Sequence, residues 1–251
     1  MSFSSQITCI VMMEILKAGA VGLGIPLDRQ QLEQFEIYYR EIITWNRKIN
    51  LTRITGPEEA QNKHFLDSLT IVLAVPALAE KNLKVIDIGT GAGLPGIPLK
   101  IAFPGTELAL LEATAKKAAF LKEVVKKLEM QDTKVIAERA EVTAHNGQFR
   151  EQFDIALARA VTALPSLAEL MIPFCKLGGM CVAMKKGDID EEVTSAQRAI
   201  ERLGGRLREV KPVELHDLQD NRRLVIIDKI RPTPMDYPRR SGVPVKRPLL
   251  T

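Results

Sequence analysis

The sequence predicts an α/β fold: a mainly parallel sheet with helices on both faces, a C-terminal antiparallel hairpin and a small helical region at the N-terminal side. Three observations predict it. From Lys84 onward, short β-branched runs alternate with helical patterns, the order expected of βαβ units. The first run, Lys84-Val85-Ile86-Asp87-Ile88, passes directly into glycines at 89, 91 and 93 and then Pro95. From Gly204 the alternation stops and two strand-like runs follow one another.

The chain has 251 residues, 46% of them hydrophobic, which suits one well-cored domain with at most a small appended one. Four stretches are expected: an uncertain N-terminal segment over 1–27, a helical region over 28–80, a nucleotide-binding domain over 81–230 and a basic, proline-rich arm over 231–251. The net charge of +4 carries no argument for nucleic acid by itself. Cys9, Cys175 and Cys181 form neither a CxxC pair nor an even framework, so a reducing, cytoplasmic setting without structural disulfides is expected. With His64, His145 and His216 as its only histidines, the chain is expected to hold no metal.

Taken in order, Ile7 to Met13 is apolar but too short to span a membrane, and no Lys or Arg precedes it as in a signal peptide. Met12 and Met13 offer later starts, so the opening dozen residues are expected to be an ill-defined extension. Asp28 with Gln31 three residues on is a helix-start pattern, and Leu32, Phe35, Tyr38, Tyr39, Ile42 and Ile43 follow at helical spacing as a core stripe. Trp45-Asn46-Arg47-Lys48-Ile49-Asn50-Leu51-Thr52 lies just past that helix. Its Asn and Thr suit local turns, and a surface facing RNA or covering a cofactor stays open beside that reading. His64 and Asp67, three apart, share a helix face; a structural pair and a catalytic one both remain open.

The strand ending at Asp87, the glycines and the Pro95 helix start form a nucleotide site at the carboxyl end of a parallel sheet. Glycine lets a ligand approach the backbone closely there. Gly91-x-Gly93-x-x-Gly96 matches a dinucleotide motif, while Gly89-Thr90-Gly91-Ala92-Gly93, two residues after an acid, looks like the first motif of S-adenosylmethionine methyltransferases. A plain glycine turn is the third reading. No Gly-Lys-Ser/Thr follows, which argues against a P-loop.

Glu107 to Glu112 reads as the second strand, ending in an acid about 20 residues past the loop, where such folds hold ribose hydroxyls. The acid can equally cap the helix from Thr114 onward. Ala115 to Leu128 has Ala118, Leu121, Val125 and Leu128 on one face. Lys134 to Ala137 is a third strand, leading into Glu138-Arg139-Ala140-Glu141; Phe153 to Leu157 is a fourth, followed by Ala158-Arg159-Ala160. Leu164 to Phe174 is a helix, with Gly178-Gly179 expected as its C-cap. Met180 to Met184 is a fifth strand and Glu191 to Leu203 a surface helix. Arg206 to Leu215 and Arg223 to Ile230, joined by a polar turn around 217–221, read as the hairpin. The remaining tail carries Arg231, Arg239, Arg240, Lys246 and Arg247 against Asp236, and its prolines predict an extended arm, either a solvated linker or one that tracks phosphates.

These pieces, in order, resemble the GidB/RsmG family of bacterial small-subunit ribosomal RNA methyltransferases. The matching residues are Trp45-Asn46, Asn50-Leu51-Thr52, His64-Phe65, Asp67-Ser68-Leu69, Asp87 to Gly96, Glu112-Ala113-Thr114, Lys117, Arg139-Ala140-Glu141, Phe153-Asp154, Arg159-Ala160, Lys186-Gly187, Tyr237-Pro238-Arg239-Arg240, Gly242 and Pro244. The resemblance implies a Rossmann-like class I methyltransferase using S-adenosylmethionine to modify N7 of a guanine in 16S ribosomal RNA, free or in a small-subunit particle. It implies that Asp87, Gly89, Gly91 and Leu94 form the cofactor loop. Glu112, Ala113 and Thr114 sit at the ribose, Ala140 and Glu141 at the adenine, and Arg159 at the methionine end or the incoming RNA. Many relatives carry Asp where this chain has Glu112. Lys48, Lys186, Arg239 and Arg240 are expected to hold RNA phosphates, and the enzyme is expected to be a cytoplasmic monomer without membrane contact. No Asn-Pro-Pro-Tyr run and no Pro-Cys nucleophile is present, which suits attack by a nitrogen that carries no proton. The competing readings are an NAD(P)-dependent oxidoreductase and an RNA-binding protein with a vestigial loop.

Overall fold

The structure, a computed structural model, describes residues 13–159, 161–214 and 221–250. Seven strands form one sheet in the order β3-β2-β1-β4-β5-β7-β6. β1 (Lys84–Ile88), β2 (Glu107–Leu111), β3 (Thr133–Ile136), β4 (Phe153–Arg159) and β5 (Cys175–Lys186) run parallel. β6 (Gly205–Pro212) and β7 (Arg222–Lys229) are the expected hairpin; β7 enters antiparallel beside β5 and leaves β6 at the edge. The turn expected around 217–221 lies largely outside the described residues.

Because successive side chains of a strand point to opposite faces, the central strands split their apolar residues between two cores. Val85, Leu108, Leu110, Ile155, Leu157 and Val182 face one side, with Phe35, Tyr38, Phe65 and Leu69 of the N-terminal region. Ile86, Ile88, Ala109, Ala156, Ala158 and Ala183 face the other, with Leu167 and Met171.

The segment left uncertain from sequence holds a helix, α1 (Glu14–Gly22), whose Leu16 and Ala20 are fully buried. α2 (Arg29–Asn46) opens with the predicted capping box: Asp28 Oδ1 accepts from Gln31 N at 2.8 Å and Gln31 Oε1 from Asp28 N at 2.9 Å. Residues 57–73 form one broken helical path, α-helical at Pro57–Ala60, π-helical at Gln61–Leu66, α-helical at Asp67–Leu69 and 3-10 at Thr70–Leu73. The remaining α-helices among the described residues are α3 (Gly96–Ala102), α4 (Ala115–Lys127), α5 (Ala140–Thr143), α6 (Leu164–Met171), α7 (Asp190–Arg202) and α8 (Val243–Lys246), with 3-10 turns at Pro76–Ala79 and Ile172–Phe174.

Two expectations are corrected. Gly178-Gly179 does not cap a helix; it lies within β5, where the register against β4 shifts between Phe153 and Ile155. A Cβ on Gly179 would stand 2.6 Å from the Asp154 carbonyl oxygen, so close backbone approach is what requires glycine there. The arm is not extended throughout. After Gly242, at φ +80°, it makes the short helix α8, with Pro244 inside its first turn, where a missing N–H is tolerated.

Candidate active site at the carboxyl edge of the sheet

β1 and β4 are neighbours although β2 and β3 intervene in sequence, so the carboxyl ends of these two strands border the switch point of the sheet, where open α/β folds bind ligands. The glycine loop after β1 is braced from below. Asp87 is fully buried, and its Oδ2 accepts from Thr90 Oγ1 at 2.5 Å and Gly96 N at 2.8 Å. Burial pushes its carboxyl up to about 6, against those two hydrogen bonds. Its Oδ1 is buried with no hydrogen-bond partner among the described residues. Asp87, expected among the cofactor contacts, is thus the strut of the loop. Tyr38, which sequence reasoning assigned only to the core stripe, donates from its hydroxyl to the Ala92 carbonyl at 2.6 Å. A tyrosine in a core stripe was the one available signal, since a buried hydroxyl needs a partner.

Gly89 and Gly91 take φ of +65° and +61°, and a Cβ on Gly91 would meet nothing nearer than 3.9 Å. The loop therefore presents an open backbone cradle at Gly91. Leu94 is buried behind it. From the end of β2, Glu112 closes one side: its Oε2 accepts from Gly91 N at 3.0 Å and its Oε1 from Thr114 N at 2.7 Å. The bond to Thr114 N is the helix-start role read from sequence, and the same carboxylate also faces the loop. Ala113 and Thr114 are exposed beside it.

Ala140 and Glu141 open α5. Glu141 is 7% exposed, and its Oε1 accepts from Gly242 N of the arm at 2.7 Å. The arm is stapled to this corner by Arg150, whose guanidinium donates to the carbonyls of Ala144, Thr233, Pro234 and Tyr237 at 2.8–3.1 Å. A cleft of about 720 Å³ between arm and α5 is lined by Glu141, Val142, His145, Met235 and Arg240. Another, of about 480 Å³, lies at the amino ends of β1–β3, around Lys84, Glu107 and Asp132, away from the loop.

Arg159 ends β4. Its Nη1 donates to Asp67 Oδ2 at 3.0 Å and to the Lys63 carbonyl at 3.1 Å, and its Nη2 lies 3.5 Å from His64 Nδ1. His64 and Asp67 thus share a face as predicted, and both address Arg159. The His64 Nε2 meets Thr52 Oγ1 at 2.8 Å. Burial, then the Arg159 charge, lower the His64 pKa to about 4, so the ring is neutral. The Asn46 side chain closes the 46–52 turn on the Leu51 and Thr52 amides, the local structural role open from sequence. Val161 lies over the loop, its Cγ2 3.0 Å from where a Gly89 Cβ would stand.

A family model described as GidB, rRNA small subunit methyltransferase G, matches residues 31–224. The chain belongs to that family. A ribosomal RNA small subunit methyltransferase G of Dehalococcoides mccartyi is 48% identical, over 95% of this chain and all of that protein. One of Roseiflexus castenholzii is 46% identical, over 92% of this chain and 97% of that one. Among solved structures, a 16S rRNA (adenine(1408)-N(1))-methyltransferase mutant from Catenulisporales acidiphilia superposes at a TM-score of 0.51 and 13% identity, covering 64% of this chain and 91% of that one. A mutant of MtNAS in complex with S-adenosylmethionine gives 0.51 at 17%, covering 87% and 78%. At these identities the likeness concerns the fold, the class I methyltransferase sheet expected from sequence. Family membership sets aside the oxidoreductase and the non-catalytic readings.

In this GidB-family chain, Lys48, Lys186 and Arg240 are exposed, with Lys48 Nζ 5.7 Å from the Trp45 ring centroid and Lys186 at the end of β5. Arg239 is tethered within the chain. Its fork grips the fully buried Glu169 of α6, Nη2 to Oε2 at 2.6 Å and Nε to Oε1 at 3.0 Å, and that pairing raises its own pKa. Spacing alone cannot separate a tethering arginine from its exposed neighbour Arg240. No cluster of three His, Cys, Asp or Glu side chains suited to a metal occurs among the described residues, and none of their helices is long and apolar enough to cross a membrane.

Proposed function

We propose that this chain methylates N7 of one guanine in 16S ribosomal RNA, presented as RNA or as a small-subunit particle, with S-adenosylmethionine as methyl donor. The observation that carries the reading is the joint built by Gly91, Glu112 and Asp87 in a chain of this family. The open Gly91 cradle, a carboxylate beside it and an unpartnered buried carboxylate oxygen beneath it suit a cationic nucleoside. When bound, S-adenosylmethionine supplies a sulfonium methyl that guanine N7, which has a lone pair and no proton, attacks directly.

Each residue then has a task. Gly89, Gly91 and Leu94 shape the loop against the methionine and ribose. Glu112 takes ribose hydroxyls on the lone pairs its two amide bonds leave, with Ala113 and Thr114 alongside. Ala140 and Glu141 border the adenine. Arg159 orients the methionine end and the incoming guanine. Lys48, Lys186 and Arg240 hold phosphates, and Arg239 anchors the arm that carries Arg240. No general base is required, so the rate rests on alignment, worth up to about 7–11 kcal/mol in well-oriented systems, and on dipoles that accept charge moving onto the guanine. The reading includes a monomer acting in the cytoplasm, in keeping with the buried free thiols of Cys175 and Cys181.

The test is tritium transfer from labelled S-adenosylmethionine to small-subunit RNA from cells lacking this protein, with wild-type RNA as control. Label confined to the deficient RNA and mapping to N7 of one guanine is the expected result. Cofactor binding without label in RNA or assembled subunits overturns the substrate, and absence of cofactor binding overturns the reading.

A further inference from the structure

We propose that Asp67 is a positioning residue for methyl transfer: from the N-terminal helical region it holds the Arg159 guanidinium at the mouth of the cofactor site. The proposal rests on the reading that Arg159 serves the methionine end or the incoming guanine.

Asp67 and Arg159 belong to segments 92 residues apart, and their side chains are 1% and 14% exposed. A buried carboxylate that ties a strand end to another region fixes geometry as well as charge. The backbone supports the same grip. In the π-helical stretch the Asp67 N–H donates to the carbonyls of Asn62 and His64, and the Lys63 carbonyl accepts from Arg159 Nη1 at 3.1 Å. A π-turn commonly marks a functional position, because it takes a carbonyl out of the helical ladder. Carbonyl and carboxylate thus bind both Nη1 hydrogens. Of the five guanidinium donors, Nε–H and the Nη2 hydrogens are not engaged by these two bonds. From the other side Arg222 Nη1, at the start of β7, stands 3.5 Å from the same Asp67 Oδ2, so the carboxylate is centred between two cations on different strands. The arginine belongs at the mouth because Val161, two residues beyond it, covers Gly89 of the loop.

The N-terminal region is therefore part of the active site, since it sets where Arg159 can reach. A displacement of about 1 Å in a group that aligns substrate costs up to about a hundredfold. Asp67→Asn keeps the shape and removes the charge. It is expected to lower kcat/KM for S-adenosylmethionine about tenfold or more, and to add less than about twofold in an Arg159→Gln background, because both changes disable one unit. A merely structural role lowers the melting temperature and multiplies with Arg159→Gln. If Asp67→Asn does not fold, Asp67→Glu keeps the charge between the two arginines, shifts it by one methylene and enters the same cycle. An Arg159→Gln enzyme with wild-type activity overturns the reading of Arg159. An impaired Arg159→Gln enzyme with an inert or fully multiplicative Asp67 variant overturns the positioning role alone.

Discussion

Replacing Asp87 by Asn separates the stability of the glycine loop from its proposed function. Asp87 is fully buried, and burial raises its carboxyl pKa from the ordinary 3.8 to about 6. Between those two values the native chain keeps a proton that the unfolded chain has released, so this group's contribution to stability is complete below pH 3.8 and is lost as pH rises through about 6. The shift corresponds to about 3 kcal/mol at neutral pH. Asparagine can present a carbonyl oxygen to Thr90 Oγ1 and Gly96 N, the two donors now on Oδ2, while removing the titration. Urea denaturation of both proteins at several pH values from about 4 to 7 reads the difference directly. The variant is expected to gain about 3 kcal/mol on wild type across that window. Its affinity for S-adenosylmethionine is expected to fall, because the charge beneath the loop is gone. Stability curves that stay parallel through the window would refute the reasoning.

Tyr38→Phe leaves the Ala92 carbonyl without its buried donor, at a cost of about 1–3 kcal/mol in urea denaturation, together with weaker cofactor binding by calorimetry. Gly91→Ala adds a Cβ into open space, so only its positive φ opposes it, about 1–2 kcal/mol; the protein stays folded and loses cofactor binding. Gly93→Ala instead drives a Cβ to 2.4 Å from Ile97 Cδ1 and lowers the melting temperature more than Gly91→Ala. Arg239→Ala strands the buried Glu169 carboxylate and costs about 3–5 kcal/mol in thermal unfolding. Arg240→Ala leaves the melting temperature unchanged and lowers the salt slope of RNA binding by about one counterion.

Much of the fold was legible because its signals are local. The β-branched runs, the Asp28–Gln31 capping box, the glycine loop and the acid ending β2 are each written within a few consecutive residues, where backbone sterics and strand periodicity act. The same locality made the glycine loop and Glu112 readable as a candidate site. Errors arose where a residue's job depends on a partner far along the chain. Gly178-Gly179 resembled a helix end, but the approach of the Asp154 carbonyl is what requires glycine at 179, while Gly178 takes a φ of +78°. Arg239 and Arg240 are equivalent in sequence until Glu169 claims the first.

By itself, the sequence determined the order of the strands, the family and the glycine loop after the first strand, because short-range periodicity and a colinear set of motifs suffice for these. Only the tertiary structure decided that Tyr38 braces the loop, that Asp87 supports it from beneath, that Glu141 is shared with the arm, and that Asp67 addresses Arg159. These are contacts between segments 54, 9, 101 and 92 residues apart. Most of them come from packing the elements at the carboxyl edge of the sheet, where buried polar groups must find partners; no residue pattern names those partners in advance.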